Sequence, residues 1–474
     1  MIYSEGDFRV GVLYGAIASV VLLLSTSTTL HAQTLKEALA QTYNSNPAIA
    51  AARSELKATA ESLPQARAAF MPDLTFTAYE GFTKTRTETT VTGSSASNKV
   101  NETNHDRQIE LEATLNVFEG GSGVAGINAA EAQIAAGVAS LADTEQGTMI
   151  SAIEAYGNVV LYAATVQAYV QMRDELLKLK EQTDYQYKSQ SVTITDVSQV
   201  NAYVAEVEGA LYDYVGELNA AKKGFESVIG TSPGTLEKWP ELPPLPQTLA
   251  ETIKIAAAMN PEVIEAEFTL KYGEFMVDYE KGDLLPSLDF SNTVEREWDQ
   301  ERFTSGSDYT EHDMTATWSY GMTLTVPLYS GGATYSEVRE AKQTVAQYRG
   351  ELQDTRNSSV YTAASNWETM VAGKKQVDAY QKQADYTVKA IDGLKRQYSN
   401  GTGTMSDVLT AQENLATAYA DLYAAQYSTF VAKAEVLEAI GQLTPQILGL
   451  DVEVYDSQAY IERMRNTFLG FSLD

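Results

Sequence analysis

Strict alternation of apolar and polar residues marks two pairs of segments in the chain. In the clearest one, every second residue from Met314 to Leu328 is apolar, and the residues between are mainly Ser, Thr and Gly. A period of two predicts β-strands. We predict one hairpin over about residues 73–118, interrupted by a polar, structureless stretch at 84–106, and a second over about 287–328. The runs are long enough to cross a bilayer as tilted strands, although a soluble sandwich would also alternate.

A spacing of three and four residues replaces this alternation elsewhere. From Ser122 to about residue 188 the chain contains no proline, and apolar positions such as Ile127, Ala130 and Ile134 follow one helical stripe. A helix of that length spans about 100 Å. The pattern recurs over about 333–398, and shorter helices are predicted over about 35–43, 47–70, 196–229 and 406–440. Such stripes need partner helices, so a soluble coiled-coil rod is the alternative to a membrane-attached conduit.

The chain contains an internal repeat. Asn46, Pro47 and Pro72 recur 214 positions later, and Asp196 recurs 211 positions later as Asp407. A glycine pair also recurs, at 120–121 and 331–332, where we predict the turn from strand to helix. The predicted divisions are a signal peptide at 1–32, a first repeat at 33–230, a proline-rich linker at 231–247, a second repeat at 248–441 and a C-terminal equatorial tail at 442–474.

The N-terminus resembles an export signal, because residues 10–24 are mostly apolar and small residues lead to Ala32. No other run approaches the length of a membrane-spanning helix. Export, one hairpin per repeat and interface aromatics such as Trp298, Trp318 and Tyr329 together favour membrane strands over a sandwich. Four strands cannot close a barrel alone, and open strand edges cannot face lipid. Other copies of the chain must therefore complete the barrel.

Composition excludes several classes of protein. The net charge of −29 argues against nucleic acid as a partner, and the absence of cysteine excludes disulfides and thiolate metal sites. The three histidines, His31, His105 and His312, lack metal-ligand spacing; we interpret the last two as solvated loop residues. Pairs among 63 acidic residues are expected by chance, and neither a Ser-His-Asp arrangement nor a P-loop is present. We predict no enzyme activity, no cofactor and no metal.

The most distinctive stretch lies where each long helix meets the shorter returning helix. Residues 398–412 read Y-S-N-G-T-G-T-M-S-D-V-L-T-A-Q, and residues 187–201 form a fainter copy. We call residues 187–196 the first tip and residues 398–407 the second tip. Carboxylates arranged around one axis would repel, raise each other's pKa and attract cations. The alternative role is helix capping, in which Thr195 or Ser406 and the aspartate that follows occupy a first helical turn.

Two copies of helix, proline, hairpin, Gly-Gly, long helix and a Y-x-x-G-x-x-T-x-x-D-V-L-x-A-Q-like tip resemble the TolC family of outer-membrane efflux proteins. The resemblance implies an α+β membrane protein: a homotrimer whose hairpins share a twelve-stranded β-barrel in outer-membrane lipid, with helices forming a periplasmic tunnel. It implies a passive exit duct fed by an inner-membrane ABC or proton-driven transporter through a periplasmic adaptor. The tail around residues 455–470 is similar to that of members serving type I secretion, but the cargo stays open between a protein and a drug, with multidrug efflux as the alternative main role. A surface coiled-coil structural or adhesive protein is a remote alternative.

The resemblance also implies roles for tip residues. Tyr398 is expected to bond toward Asp196 with Thr195 nearby, and Asp407 to form a carboxylate ring. The adaptor is expected to contact the tips, at the positions Gly401, Thr402, Gln190 and Ser191. The chain departs from the family pattern at three positions, where Gly403 replaces an arginine, Thr410 an aspartate and Gln190 a glycine. We therefore expect a gate that opens more easily.

Overall fold

The computed structural model describes residues 33–90, 92–93, 97–304, 309–465, 467 and 470, so the predicted signal peptide lies outside the described residues. The first repeat contains α1 (Leu35–Ser45), α2 (Pro47–Ala60), α3 (Ser62–Ala68), β1 (Asp73–Thr90), β2 (Ser97–Glu119), α4 (Ser122–Lys188) and α5 (Ile194–Ile229). The second contains α6 (Leu249–Met259), α7 (Pro261–Gly282), β3 (Ser287–Thr304), β4 (Tyr309–Thr325), α8 (Ala333–Ser399) and α9 (Met405–Ala439). The C-terminal tail adds α10 (Pro445–Leu448) and α11 (Ser457–Met464).

The helix predicted over residues 47–70 is two helices, because α2 ends at Ala60 and α3 begins at Ser62. Pro64 explains the break: it has no N–H to donate to the carbonyl of Ala60, and its ring clashes with that carbonyl in a continuous helix. The second repeat has no proline at the corresponding place, and α7 runs unbroken for 22 residues.

The prediction of a structureless stretch at residues 84–106 is wrong. β1 and β2 pair in continuous register as far as Thr90 opposite Ser97. Threonine recurs through this part of β1 and has high strand propensity, and Glu88 and Lys99 form an ion pair of 3.1 Å across the strands. His105 is consequently a strand residue rather than a loop residue, and its ring stacks on Phe82 with centroids 3.9 Å apart. His312 likewise lies in β4.

The four strands form one antiparallel sheet in the order β1-β2-β3-β4. Directly paired residues share a face, and one row across all four strands is apolar: Phe76, Leu111, Val294 and Trp318. The adjacent row, on the opposite face, is polar: Thr77, Glu110, Glu295 and Thr317. The predicted alternation therefore produces a sheet with one apolar and one polar face. The apolar row is open, with Phe76 67% and Trp318 71% exposed in the single chain.

Each hairpin passes into its long helix through the predicted glycine turn. Gly120 and Gly121 have φ of 59° and 95°, and Gly331 and Gly332 have φ of 69° and 90°. A Cβ atom on Gly120 would lie 2.2 Å from the carbonyl oxygen of Gly282, so that turn also requires the small residue for space.

The duplication extends to individual hydrogen bonds. The side chain of Asn46 caps α2 and donates to the carbonyl of Val228 at 3.0 Å. The side chain of Asn260, its counterpart, caps α7 and donates to the carbonyl of Ala439 at 3.2 Å. In each repeat, one asparagine therefore starts the helix that precedes the hairpin and ties it to the end of the returning helix. The prediction of an internal repeat is confirmed at this level.

The largest core cluster lies midway along α4, where α1, α2, α6, α8 and the C-terminal ends of α5 and α9 meet. Tyr156 is fully buried there, and its hydroxyl lies 3.0 Å from the carbonyl oxygens of both Gln33 and Glu237. Burial raises the pKa of Tyr156 to about 12. The proline-rich linker packs against this core, and Lys433 donates to the carbonyl of Leu242 at 2.7 Å.

The two long helices have the same length of 67 residues but different surroundings. Twenty-three residues of α4 are buried and only eight of α8, so most of α8 is open in the single chain. In contrast to the prediction, α4 is long and apolar enough to cross a membrane, but half of its apolar window is buried inside the protein. Its packing against α1, α2, α5, α7 and α9 identifies it as a core helix.

Candidate functional site at the helix tips

Both tips adopt the same backbone turn. In the first tip, Ser191 N donates to the carbonyl of Gln186 at 2.8 Å, and in the second tip Thr402 N donates to the carbonyl of Gln397 at 2.9 Å. The central residue of each turn has a left-handed backbone, with φ of 60° at Gln190 and 73° at Gly401. Gln190, Ser191, Gly401 and Thr402, the predicted adaptor contacts, are all exposed at this end of the helices.

A reciprocal capping box starts each returning helix. Asp196 Oδ2 accepts from the backbone nitrogen and the hydroxyl of Thr193 at 2.8 and 2.7 Å. Asp407 Oδ2 accepts from the same groups of Thr404 at 3.0 and 2.7 Å. The capping interpretation therefore holds for both aspartates, but the cap residues are Thr193 and Thr404, not Thr195 and Ser406.

Asp407 carries a negative charge in addition to capping its helix. The hydroxyl and backbone hydrogen bonds from Thr404 lower the pKa of Asp407, which is exposed. Asp407 is therefore ionised at neutral pH. Thr195, which the resemblance placed beside the gate, is exposed next to Asp196.

The structure does not form the expected hydrogen bond between Tyr398 and Asp196. The Tyr398 hydroxyl is buried, and among the described residues it has no hydrogen-bond partner. Burial, and secondarily the carboxylate of Asp196, raise the pKa of Tyr398. Asp196 is thus near enough to act on Tyr398 electrostatically, while its Oδ2 atom is engaged by Thr193.

A hydrophobic cluster just above the tips joins α4, α5 and α9, and Tyr398 of α8 packs against it. We call it the tip cluster; it consists of Met172, Leu176, Val200, Tyr203, Val204, Val207, Met405, Leu409 and Ala416, with Tyr398 packed against it. The first helix pair (α4 and α5) and the second helix pair (α8 and α9) both contribute. Lys395 and Glu175 add an ion pair of 3.6 Å between α8 and α4. The tip cluster and this ion pair were not predicted, because residue spacing within one helix does not identify its partner on another.

Two of the departures from the family pattern, Gly403 and Thr410, lie in or just after the second tip. Gly403 is half-buried, and a Cβ atom there would lie 3.1 Å from the Cβ atom of Gln397. Thr410 is exposed one turn after Asp407. The second tip therefore has no positive side chain at Gly403. A second carboxylate is likewise absent at Thr410, just after the tip.

The chain is similar to known proteins over nearly its whole length. The family described as outer membrane efflux protein matches residues 38–231 and 252–442, one match for each repeat. The outer membrane efflux protein BepC of Brucella suis is 25% identical over 96% of both chains. The alkaline protease secretion protein AprF of Pseudomonas aeruginosa is 21% identical, over 64% of this chain and 63% of its own.

The fold has a close counterpart among solved structures. The CmeC outer membrane channel of Campylobacter jejuni superposes with a TM-score of 0.72, at 14% sequence identity, over 97% of this chain and 98% of that one. The arrangement of two strand pairs and two long helices in this chain thus matches the fold of that channel. The protein belongs to the family of outer membrane efflux proteins, and its location is the outer membrane.

Proposed function

We propose that three copies of this chain form an exit duct across the outer membrane and the periplasm. The observation that carries the proposal is the four-stranded sheet, which has one apolar and one polar face and leaves β1 and β4 with one neighbour each within the described chain. Unpaired strand edges are not tolerated in lipid, so the sheet must be closed by further copies. Three sheets in a ring supply twelve strands, with the apolar rows outward and the polar rows lining a lumen.

The exposed surface of α8 supports the same assembly. Large apolar side chains remain open along this helix, among them Tyr335, Tyr361 and Tyr386 at 53%, 73% and 68%. In a ring of three, such a surface can be covered by the helices of a neighbouring copy, and the helices then enclose a tunnel that continues the barrel. A single copy would leave this surface in water.

We infer that the tips form the closable end of the tunnel. Asp407 is exposed and ionised, and three copies would place three such carboxylates around the axis. Like charges repel across an opening and attract cations, so the gate is held closed by packing between the helix pairs and responds to multivalent cations. The exposed turns at Gln190 and Gly401 supply the surface for a periplasmic adaptor.

The duct is proposed to be passive. The sequence contains no P-loop, so transport energy is supplied by an inner-membrane ABC or proton-driven transporter that reaches the duct through the adaptor. The protein binds and guides cargo but performs no chemical reaction on it.

Purification of the outer-membrane fraction tests the assembly. We expect a heat-resistant trimer that dissociates to single chains only on boiling, and discrete conductance steps when it is added to planar lipid bilayers. A monomer without conductance would overturn the duct. A trimer that lacks conductance even when the tip cluster is loosened by Leu176→Ala would instead support a structural or adhesive role.

Protein secretion is the proposed main cargo route, and the similarity to AprF supports it. Comparing the proteins in the medium of cells with and without the gene tests this route. We expect the loss of at least one exported protein. Unchanged exported proteins together with increased sensitivity to small toxic compounds would identify multidrug efflux as the main role, which the similarity to the efflux protein BepC favours.

A further inference from the structure

We propose that Arg107 and Arg296, which both adjoin Trp298 on the apolar face of the sheet, bind phosphate groups of the phosphorylated glycolipid in the outer leaflet of the outer membrane. We call this face, which carries the apolar row described above, the outward face. The inference rests on the proposed function, because the face points outward only if further copies close the sheet into a barrel.

The sheet separates its charges by face. Within the described strands, every lysine and arginine lies on the outward face: Lys84, Arg86, Lys99, Arg107, Arg296 and Arg302. All the carboxylates of the strands lie on the opposite face, except those of Glu80 and Glu88. A face that contacts only lipid tails needs no cations, and a charged side chain in hydrocarbon is costly. This one-sided distribution therefore indicates an anionic partner outside the barrel.

The two arginines lie where the apolar band of the outward face ends. On β3, the outward positions from Leu288 to Val294 are apolar apart from Asn292, and Arg296 comes next. Arg296 is about 26 Å along the strand from Leu288, which is about 20 Å along the bilayer normal at a strand tilt of about 40°. Arg107 lies one outward row farther, about 5 Å higher. The apolar band of a membrane barrel is about 25 Å tall, so both arginines reach the level of the lipid headgroups.

The hairpin turns identify the leaflet. Both hairpins turn at the strand ends that are farthest from the long helices. In the proposed duct the helices lie in the periplasm, so these ends reach the outside. Arg107 and Arg296 are then at the outer leaflet, where the headgroup of the glycolipid carries phosphate.

A groove of about 500 Å³ lies beside Arg107. Ile109 and Trp298 are among its apolar residues, and Arg107 and Glu80 supply its charges. Glu80 is paired with Arg107 across the strands, but its carboxylate lies 2.8 Å from His105 Nε2. Arg107 forms no ion pair in the part of the chain that the structure describes. The groove thus offers an unpaired cation next to apolar surface, the combination that a phosphate attached to acyl chains requires.

Arg296 extends the positive site past the same tryptophan. Its guanidinium carbon lies 5.0 Å from the centre of the Trp298 ring, and its Nη2 atom lies 2.9 Å from Met314 Sδ. Its direct cross-strand neighbours are Ile109 and Ala316, neither of which is charged. A guanidinium that stacks on an aromatic ring keeps N–H donors in its plane for a phosphate. Tryptophan itself is typical of the membrane interface.

The position of both arginines within the sheet excludes a second copy of the chain as the occupant. β2 and β3 are the inner strands, and a neighbouring copy pairs with the edge strands β1 and β4. Arg107 on β2 and Arg296 on β3 therefore stay open to the surroundings of the barrel. At headgroup level those surroundings are lipid.

Lipid binding by the purified trimer tests the proposal. Lipopolysaccharide that retains its lipid A phosphates is titrated into the trimer in detergent, and bound lipid is counted by native mass spectrometry. We expect Arg107→Gln combined with Arg296→Gln to weaken binding about tenfold or more, because each cation near an anionic lipid surface contributes about fivefold. Arg107→Lys combined with Arg296→Lys keeps both charges and should retain most of the affinity.

Matched controls distinguish the outcomes. Lys222→Gln combined with Lys342→Gln removes the same charge from exposed positions on α5 and α8, and it should leave binding unchanged. The same lipopolysaccharide without its phosphates should bind the wild type as weakly as the intact lipid binds the double glutamine variant of the arginines. Equal binding of the two lipids to the wild type would overturn the proposal, as would displacement of the lipid by inorganic phosphate at millimolar concentration, which would indicate a site for free anions.

Failure of the lipid site and failure of the duct give different results. The double glutamine variant of the arginines should assemble and conduct as the wild type does, since neither arginine lies on the polar face. A wild-type trimer that conducts but binds both lipids equally rejects the lipid site and leaves the duct intact, and this comparison decides even if the variant does not assemble. A wild-type protein that neither assembles as a trimer nor conducts rejects the duct, and the lipid site with it.

Discussion

Thr404 and Asp407 hold each other in a reciprocal pair at the start of α9: the Asp407 carboxylate accepts from the Thr404 backbone and hydroxyl at 3.0 and 2.7 Å, and the Asp407 backbone nitrogen donates to the Thr404 hydroxyl at 3.2 Å. These hydrogen bonds hold the Asp407 carboxylate in one orientation, and in the proposed tunnel that carboxylate lies at the narrow end. In the proposed duct, one local arrangement would therefore provide both the helix cap and the negative charge at the gate.

The charge of Asp407 can be removed without losing the cap. Asp407→Asn retains an amide oxygen that accepts the Thr404 hydrogen bonds, but three neutral side chains no longer attract cations. We expect millimolar Mg²⁺ to reduce wild-type conductance and to affect the variant at least fivefold less. The Thr404 hydrogen bonds lower the pKa of each Asp407, whereas repulsion among three carboxylates in a ring would raise it, so the charge is expected at neutral pH and should be lost as the pH falls through the carboxyl range.

Thr404→Ala is the matched comparison for that experiment. It removes the hydroxyl that donates to Asp407 but leaves the charge in place. Mg²⁺ sensitivity should survive in Thr404→Ala, whereas helix stability should fall. Equal Mg²⁺ responses of the wild type and Asp407→Asn would show that the ring of carboxylates does not line the passage.

The strained turn of the first tip offers a stabilising substitution. Gln190 has φ of 60°, where a residue with a Cβ atom is disfavoured, and the second tip has Gly401 at the matching place. We expect Gln190→Gly to stabilise the folded chain by about 1 kcal/mol and to raise the temperature of trimer dissociation. Ser189→Gly is the control: its φ is −85°, so glycine there adds only flexibility, and a comparable gain in that variant would refute the explanation.

Restoring the family's arginine should tighten the gate. Gly403→Arg places a positive side chain beside the tip aspartates, and we expect the open probability of the channel to fall several-fold. The new Cβ atom would lie 3.1 Å from the Cβ atom of Gln397, so the backbone must shift slightly. Gly403→Ala introduces the same contact without the charge; if it closes the channel as much as Gly403→Arg does, sterics and not charge are responsible.

The periodicity of apolar residues predicted most of the fold, because helices and strands depend on local sequence patterns. The ends of both long helices were correct to within one residue or so, since Gly120-Gly121 and Gly331-Gly332 mark each start. The outer bounds of the hairpins were also correct, but the stretch at residues 84–106 was wrongly predicted as structureless because its strands pair without apolar alternation. The break at Pro64 was overlooked even though proline is a local signal.

The candidate site was predicted less completely than the fold. The turn residues and the two aspartates are recognisable from the repeated motif alone. The orientation of Tyr398 is not, because it depends on how the second helix pair packs against the first and on Asp196 being engaged by Thr193.

Arg53 contacts both the helical body and the C-terminal tail. The Arg53 guanidinium lies 4.5 Å from the ring of Tyr43 and 5.1 Å from the ring of Tyr455, and it forms an ion pair of 3.3 Å with Glu145. We expect Arg53→Met to destabilise the protein by about 3 kcal/mol, because Glu145 would remain half-buried without a cation. Thermal unfolding measures the loss, and the double variant with Glu145→Gln should recover part of it. No recovery would mean that packing on the two tyrosines dominates.

The stability of the helical body should fall as the pH rises from about 4.5 to about 7. Burial, reinforced by Asp143, Glu435, Glu262 and Glu154 around it, raises the pKa of Glu438 to about 7. A group with a raised folded pKa binds more protons in the folded state, so its contribution is fully present below the unfolded pKa of about 4.5 and is lost by about pH 7. The loss is at most about 3 kcal/mol per chain.

Replacing the buried carboxyl should remove this part of the pH dependence. Glu438→Gln is expected to match the wild type in thermal stability at pH 4.5 and to exceed it at pH 8, since the variant never places a charge in that site. The comparison is the difference between variant and wild type at each pH, which cancels the titration of all other groups. Glu181→Gln, an exposed position on α4, should show a difference that is independent of pH. A constant difference for Glu438→Gln as well would mean that solvent reaches Glu438 in the assembled protein and that its pKa is ordinary there.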